Sequence, residues 1–315
     1  MHKLNFDKVE ILVVDPEPNT RATIRNLLLG EGFRNVKLAA GMSDIMCEFQ
    51  ISMPDMIISD IKLEDGDFNK FVYRLRHHEI GDNPFLPIIA TAYSPTTKDI
   101  QAVVRSGSDD IVTKPLSSGQ LLQRIKILIN SRKIFMVTSS YIGPYRRKSS
   151  AAPIPGQTEP KTLEVPNVLR VKTMNTHNFN NTLLQQEIRD CINRVNLHKL
   201  ESHANQTSAL VERIVPGLAF GPPDKTTTRA LQRLRYVSED IARRMVGTKF
   251  DHVSELCQSL IEVTKRIIDA GEFPVPKDVG LLKPLSSAIT RGFNETSESS
   301  ASTVHKISQS ISTKH

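Results

Sequence analysis

Tryptophan is absent and aromatic residues make up only 5% of the 315 residues, so the chain lacks a stacking set for nucleic-acid bases. Only three cysteines occur, Cys47, Cys191 and Cys257, far apart and with no Cys-x-x-Cys or Cys/His spacing. That excludes a disulfide framework or a zinc motif, and the three are expected to be core thiols of apolar helices in a reducing compartment. No apolar run approaches a membrane span. The run inside MHKLNFDKVEILVV has strand length rather than the length of a signal-peptide core, so a cytoplasmic location is expected. GG(D/E)EF-like, HD-type, Walker and nucleophile-elbow signatures are all missing, and the chain is therefore not expected to be an enzyme. Residues 1–133 lack any charge excess, with 17 basic and 17 acidic side chains, so the formal net charge of +7 belongs to the remainder. Such a modest excess reads first as a solvated surface and second as an attraction for an acidic partner or nucleic acid.

Four short apolar runs are present in the first 120 residues, each ending in a chemically pointed group. They are Ile11–Asp15, Met56–Asp60, Pro87–Thr91 and Asp110–Pro115, with helix-patterned segments between them. Continuous apolar runs alternating with helices predict buried strands of a parallel sheet, an α/β arrangement. Right-handed crossovers bring all the C-terminal strand ends to one edge, where ligands of open sheets collect. Asp15, Asp60, Thr91 and Lys114 should therefore converge. Two neighbouring carboxylates suit a hard divalent cation, while an ammonium and a hydroxyl suit the oxygens of a phosphoryl group. An aspartate can itself take up the phosphoryl group as an acyl phosphate.

The segments ILVVDPEPNTR (11–21), PDMIISDIKLEDGDF (54–68), LPIIATA (86–92) and SGSDDIVTKPLS (106–117) together resemble the receiver domain of two-component response regulators. The resemblance implies a doubly wound five-stranded parallel sheet with Asp60 as phosphoacceptor and Asp15 in an acidic pocket. It also implies Thr91 as the switch hydroxyl and Lys114 as the phosphate-pairing lysine, followed by a cis peptide at Pro115. Two positions depart from the family pattern. The second pocket carboxylate is replaced by Pro16, so Mg2+ is expected to bind only weakly. Either Glu17 reaches in, or the ion is held through Asp15, Asp60 and the backbone carbonyl of Lys62. The aromatic switch position is Ile111, which excludes aromatic swinging at that position as the readout. The acidic turn Glu64-Asp65-Gly66-Asp67 lies near Asp60 and reads as a solvated turn that could supply a ligand.

Beyond the receiver, assigned to residues 1–133, the stretch 134–181 is rich in proline, serine and charge without apolar periodicity, and is expected to be a largely disordered linker. Inside it, Tyr141, Gly143, Pro144, Arg146 and Arg147 form YIGPYRR. This is similar to a YIGPDRR-type element that follows the receiver in many alphaproteobacterial response regulators, with Tyr145 in place of the acidic residue. Residues 182–293 carry four apolar stripes at helical spacing: Leu184 to Val195, Leu231 to Met245, Val253 to Ile267 and Leu281 to Ile289. They predict a separate all-α module, and the Ser/Thr-rich 294–315 a disordered tail.

The expected function is that of a phosphorelay response regulator, accepting a phosphoryl group on Asp60 from a sensor histidine kinase or phosphotransfer protein. The helical module would then change its contacts with an unknown downstream protein or in a homodimer. Three alternatives stand beside it. One is DNA binding, for which Ser238–Met245 faintly echoes a helix-turn-helix without a basic recognition face, so nucleic acid is not the expected partner. Another is a pseudo-receiver scaffold that is never phosphorylated, and the last is histidine phosphotransfer through an exposed His198 or His203.

Overall fold

The computed structural model describes residues 4–146, 161–174, 180–219, 221–246 and 253–294, which fall into two compact units, Met1–Arg194 and Val195–His315. In chain order the first unit begins with β1 (Glu10–Val14), α1 (Pro18–Gly30), β2 (Asn35–Ala39), α2 (Met42–Ile51) and β3 (Met56–Asp60). A two-residue ribbon follows, β4 (Lys62–Leu63) with β5 (Gly66–Asp67), then α3 (Phe68–Arg76), β6 (Ile88–Tyr93), α4 (Thr97–Ser106), β7 (Asp110–Lys114) and α5 (Ser118–Asn130). The five long strands form one parallel sheet in the order β2-β1-β3-β6-β7.

Alternation along β1 divides the core into two layers. Ile11 and Val13 face Ile24 and Leu28 of α1 and Leu121 and Ile125 of α5. Leu12 and Val14 face the other way, toward Ile45 of α2 and Val72 and Leu75 of α3. Burial on both faces is why these strands read as unbroken apolar runs. Helix starts are fixed by side-chain caps. Ser117 serves α5, and Thr96 with Asp99 forms a reciprocal capping box on α4.

The stretch after α5 departs from the linker expectation. Residues 135–146 and 161–174 are folded onto the receiver: β8 (Phe135–Val137), β9 (Ile142–Pro144) and β10 (Lys161–Leu163) form an antiparallel sheet in the order β10-β8-β9, and α6 (Val168–Met174) follows. Leu169 enters the receiver core, Lys172 pairs with Asp55 at 2.7 Å, and Asn167 donates to the Leu128 carbonyl at the end of α5. Hydrogen bonds to carbonyls hold this extension where apolar periodicity is missing. Residues 147–160, including Arg147, and 175–179 lie outside the described residues, as does the predicted tail from 295 onward.

A single helix, α7 (Asn181–Ala219), contains the boundary between the units, so the stripe Leu184, Ile188 and Cys191 belongs to the first unit rather than to the helical module assigned from 182. The second unit packs the remaining part of α7, α8 (Lys225–Met245), α9 (Ser254–Asp269) and α10 (Pro276–Asn294) around one core. Leu231, Leu234, Val237, Ile241 and Met245 of α8 line it, as do Val253, Leu256, Leu260, Val263 and Ile267 of the third stripe.

Three minor expectations change. Ser238–Met245 lies within continuous α8 with most of its side chains buried, so no helix-turn-helix corner falls there. His203 is fully buried against Asp240 at 2.8 Å and is not an exposed phosphotransfer histidine. Cys191 and Cys257 are core thiols, but Cys47 is exposed on the outer face of α2. None of the described helices is long and apolar enough to cross a membrane.

Candidate functional site

The register of the sheet brings the pointed residues together. Asp60 is paired with Thr91 across β3 and β6, Val14 with Ser59 across β1 and β3, and Tyr93 with Lys114 across β6 and β7. Asp15 follows Val14 directly, so it and Asp60 end adjacent strands. Asp15, Asp60, Thr91 and Lys114 are all buried. The Lys114 ammonium donates to Oδ2 of both Asp15 and Asp60. Burial pulls its pKa down, but hydrogen bonds to the two carboxylates outweigh that and leave it above the ordinary lysine value.

The second oxygen of each carboxylate is taken by a backbone amide: Asp60 Oδ1 accepts from Lys62 N at 2.6 Å, and Asp15 Oδ1 from Glu17 N at 3.0 Å. Arg21 braces the same turn by donating to the carbonyls of Asp15 and Pro16. One group is left over. The Thr91 hydroxyl is buried beside Asp60 and has no hydrogen-bond partner, an arrangement that costs about 1–3 kcal/mol unless something repays it.

Not every predicted site residue converges. The Glu17 side chain is exposed and caps α1 through the amide of Asn19, so it does not reach into the pocket. Lys62 meets Asp60 through its backbone amide. Asp65 is committed elsewhere, accepting from the amides of Met42 and Ser43 at 2.7 and 2.8 Å and from the Ser43 hydroxyl, which caps α2. Asp67 caps α3. Among the described residues no group of three His, Cys, Asp or Glu side chains is arranged to hold a metal. Asp15 and Asp60 nonetheless retain spare lone pairs, and two carboxylates completed by water and phosphate oxygens suffice for magnesium. The residues present thus fit a magnesium site completed by oxygens from outside the protein.

The peptide between Lys114 and Pro115 is cis. Ile111 is half-buried against the core layer facing α3. Tyr93 was not singled out by its sequence. Its ring lies over the Lys114 ammonium at 4.7 Å and its hydroxyl is 3.4 Å from Thr20 Oγ1. Its place two residues beyond Thr91, directly across from Lys114, was the available signal.

The described part of the YIGPYRR element, residues 141–146, is not part of this pocket. It docks at the other end of β7, where the Arg146 guanidinium donates to the carbonyls of Ser108 and Asp109 at 2.6 and 3.0 Å. Tyr141 Oη donates to the Pro144 carbonyl at 3.0 Å. Gly143 lies so close to Gly107 that a Cβ on it would sit 2.7 Å from the Gly107 Cα, and Gly107 itself adopts φ +92°.

Residues 11–126 match the family of response regulator receiver domains. An uncharacterized 14.6 kDa protein from Leptolyngbya boryana is 30% identical over 119 residues, 38% of this chain and 88% of that protein. The KDP operon transcriptional regulatory protein KdpE of Escherichia coli is also 30% identical over 119 residues, 38% of this chain and 50% of that protein. The probable transcriptional regulatory protein TcrX of Mycobacterium tuberculosis is 28% identical over 139 residues, 44% of this chain and 57% of that protein. The chain thus spans about half the length of these regulators. Among solved structures, the receiver domain of the regulator TorR is 27% identical, with 40% of this chain and 99% of that chain covered and a TM-score of 0.36. The magnesium-bound receiver of the sensor histidine kinase PA1611 from Pseudomonas aeruginosa is 28% identical, covering 38% of this chain and 94% of that chain at a TM-score of 0.33.

Proposed function

The chain belongs to the response regulator receiver family through residues 11–126, and from that premise we propose that it accepts a phosphoryl group on Asp60 and uses the new charge to switch protein contacts of its helical unit. The observation that carries this reading is the buried, unpartnered Thr91 hydroxyl beside an aspartate already held by a lysine. A hydroxyl left without a partner in that position awaits an acceptor, and a phosphoryl oxygen on Asp60 would be one.

In the proposed step an Asp60 carboxylate oxygen attacks the phosphorus of a phosphohistidine on a sensor kinase or phosphotransfer protein. A P–O bond forms, the P–N bond breaks, and its electron pair stays on the imidazole nitrogen. Lys114 then pairs with the phosphoryl oxygens, Thr91 donates its hydroxyl to one of them, and Lys62 N holds the carboxyl end in place. Magnesium, held by Asp15, Asp60 and the carbonyl of Lys62, would offset the added negative charge when bound. The protein acts as a stoichiometric acceptor rather than a turnover enzyme. The output is read as protein interaction, because the likeness to transcriptional regulators is confined to about half their length and α8 offers no protruding recognition helix; a cytoplasmic setting belongs to the same proposal.

Incubation with acetyl phosphate and magnesium, followed by intact mass measurement, tests the acceptor role. One phosphoryl group should add to the wild type and none to Asp60→Asn. Failure of the wild type to gain mass would make the domain a phosphate-free binding scaffold.

A further inference from the structure

We propose that β9, together with Arg146 just after it, is a latch on the far end of α4 that loosens when a phosphoryl group is placed on Asp60; this rests on the acceptor reading above. α4 is the rod between latch and pocket. Its start is fixed by the capping box of Thr96 and Asp99, and only Ser94 and Pro95 separate that box from Tyr93 at the pocket edge. Ser94 adopts φ +42°, a left-handed conformation rarely taken by a non-glycine residue, so this joint is strained. From there α4 runs for ten residues, about 15 Å, and ends at Gly107. Gly107 touches the latch directly. A Cβ built on it would sit 2.5 Å from the Ile142 carbonyl oxygen, and one built on Gly143 would sit 2.7 Å from the Gly107 Cα. The rod has no slack at that end.

The neighbours of Gly107 differ in how far they can give way. On one side stands Arg76, whose Cγ would lie 3.0 Å from the same built Cβ and whose guanidinium is held by the carbonyls of Gly107, Pro84 and Leu86 and by the Asp109 carboxylate. That wall is fixed. On the other side β9 is a three-residue edge strand, paired among the described strands only with β8, and Arg146 ties its end to the carbonyls of Ser108 and Asp109. Movement of α4 is therefore taken up by β9. Arg132 stays bonded to Asp109 and Phe135 stays buried, so β9 can loosen while β8 keeps the extension on the receiver.

Loading supplies the push. A phosphoryl oxygen on Asp60 draws the Thr91 hydroxyl toward itself, and the end of β6 carries the strained joint and α4 with it. Coupling of this kind is reciprocal: if a group bound at Asp60 loosens β9, loosening β9 by mutation must strengthen binding at Asp60 by the same factor. Ile142, Gly143 and Pro144 are buried in the resting protein, so release gives their backbone to solvent. On this reading the YIGPYRR element reports the state of a pocket at the opposite end of β7.

Hydrogen exchange and ligand affinity on the full chain test this, with beryllium fluoride and magnesium as a non-covalent stand-in for the phosphoryl group. In the wild type, amides of residues 141–146 should exchange several-fold faster with beryllium fluoride bound than without it. Arg146→Ala, which removes the tie, and Gly143→Ala, which wedges a methyl group against Gly107, should each bind beryllium fluoride several-fold more tightly, once shown to melt cooperatively. The exchange arm needs no variant and decides alone if neither folds. Unchanged exchange at 141–146 in the bound wild type, or equal affinity in the folded variants, would overturn the latch. If the wild type binds no beryllium fluoride and gains no mass from acetyl phosphate, the acceptor reading falls. The contact is then decided without ligand: several-fold faster exchange at 97–107 in both variants keeps β9 as a brace on α4, and exchange like wild type removes it.

Discussion

Two buried charge clusters occupy opposite ends of β7, and they are built on opposite plans. At its C-terminal end two carboxylates, Asp15 and Asp60, share one ammonium, and a neighbouring hydroxyl has no partner. At its N-terminal end one carboxylate, Asp109, is shared by two guanidinium groups. It accepts from Arg76 at 2.9 Å, from Arg132 at 2.9 and 3.1 Å, and from the amide of Ile88 at 2.9 Å. The remaining Arg76 donors go to the carbonyls of Gly107, Pro84 and Leu86, and both arginines lie about 5 Å from the centre of the Phe135 ring. Burial pulls the Arg76 pKa down to about 10 against the opposing pull of Asp109, so the side chain stays charged at neutral pH. The Asp109 cluster is saturated and serves as the anchor of the extension. The Asp60 cluster is left incomplete, as suits a pocket that takes up a ligand group.

The sharpest way to break the comparison is Asp109→Ala, which strands two buried guanidinium groups and should cost about 3–5 kcal/mol in urea unfolding. A loss below about 1 kcal/mol would show that the anchor is not structural. A third cluster, in the helical unit, sharpens the contrast through pH. Burial and the nearby Arg244 push the Lys199 pKa down to about 7, with Asp240 opposing. The unfolded side chain keeps its proton up to about pH 10.4, so between roughly pH 7 and 10 the unfolded state binds the extra proton and rising pH stabilises the fold. Unfolding measured at pH 7.5, 8.5 and 9.5 should show stability climbing by up to about 1.4 kcal/mol per pH unit, and Lys199→Met should flatten that slope. The smallest effect should come from Thr91→Val, which replaces the unpartnered hydroxyl with a methyl group. It should leave Asp60 able to take up phosphate and stabilise the unmodified protein by about 1 kcal/mol, while removing any loading-dependent change in proteolysis or assembly. A destabilised Thr91→Val protein would mean that the hydroxyl already has a structural use.

The sheet and its edge were legible because the receiver strands are buried on both faces and are therefore written as apolar runs. Each run ends where the chain leaves the sheet, so Asp15, Asp60, Thr91 and Lys114 could be placed from order and spacing alone. The extension was not legible, since its three-residue strands bury too little to leave a period and its attachments run to carbonyls, which any sequence possesses. Arg146 illustrates this: nothing in a basic residue after Gly-Pro specifies the Ser108 and Asp109 carbonyls as its partners. Glu17 misled for a related reason. An acidic residue just before Pro18 satisfies the start of α1 through its side chain, and that local use prevailed over the pocket. Tyr93 was missed because an exposed aromatic at a strand end has no apolar pattern to betray it.

The Asp65 cap on α2 has a mechanical corollary. Its carboxylate ties the ribbon just beyond Asp60 to Met42 and Ser43, and so tightly that a Cβ at Gly41 would sit 2.4 Å from Asp65 Oδ1. That side of Asp60 is therefore a fixed jaw. The opposite jaw, from Thr91 through Tyr93 to the strained Ser94, carries a hydroxyl with no partner and a ring held by one cation and one long hydroxyl contact. On the proposed acceptor role, a load placed on Asp60 would meet a clamped wall on one side and a loose one on the other, and displacement is expected toward α4.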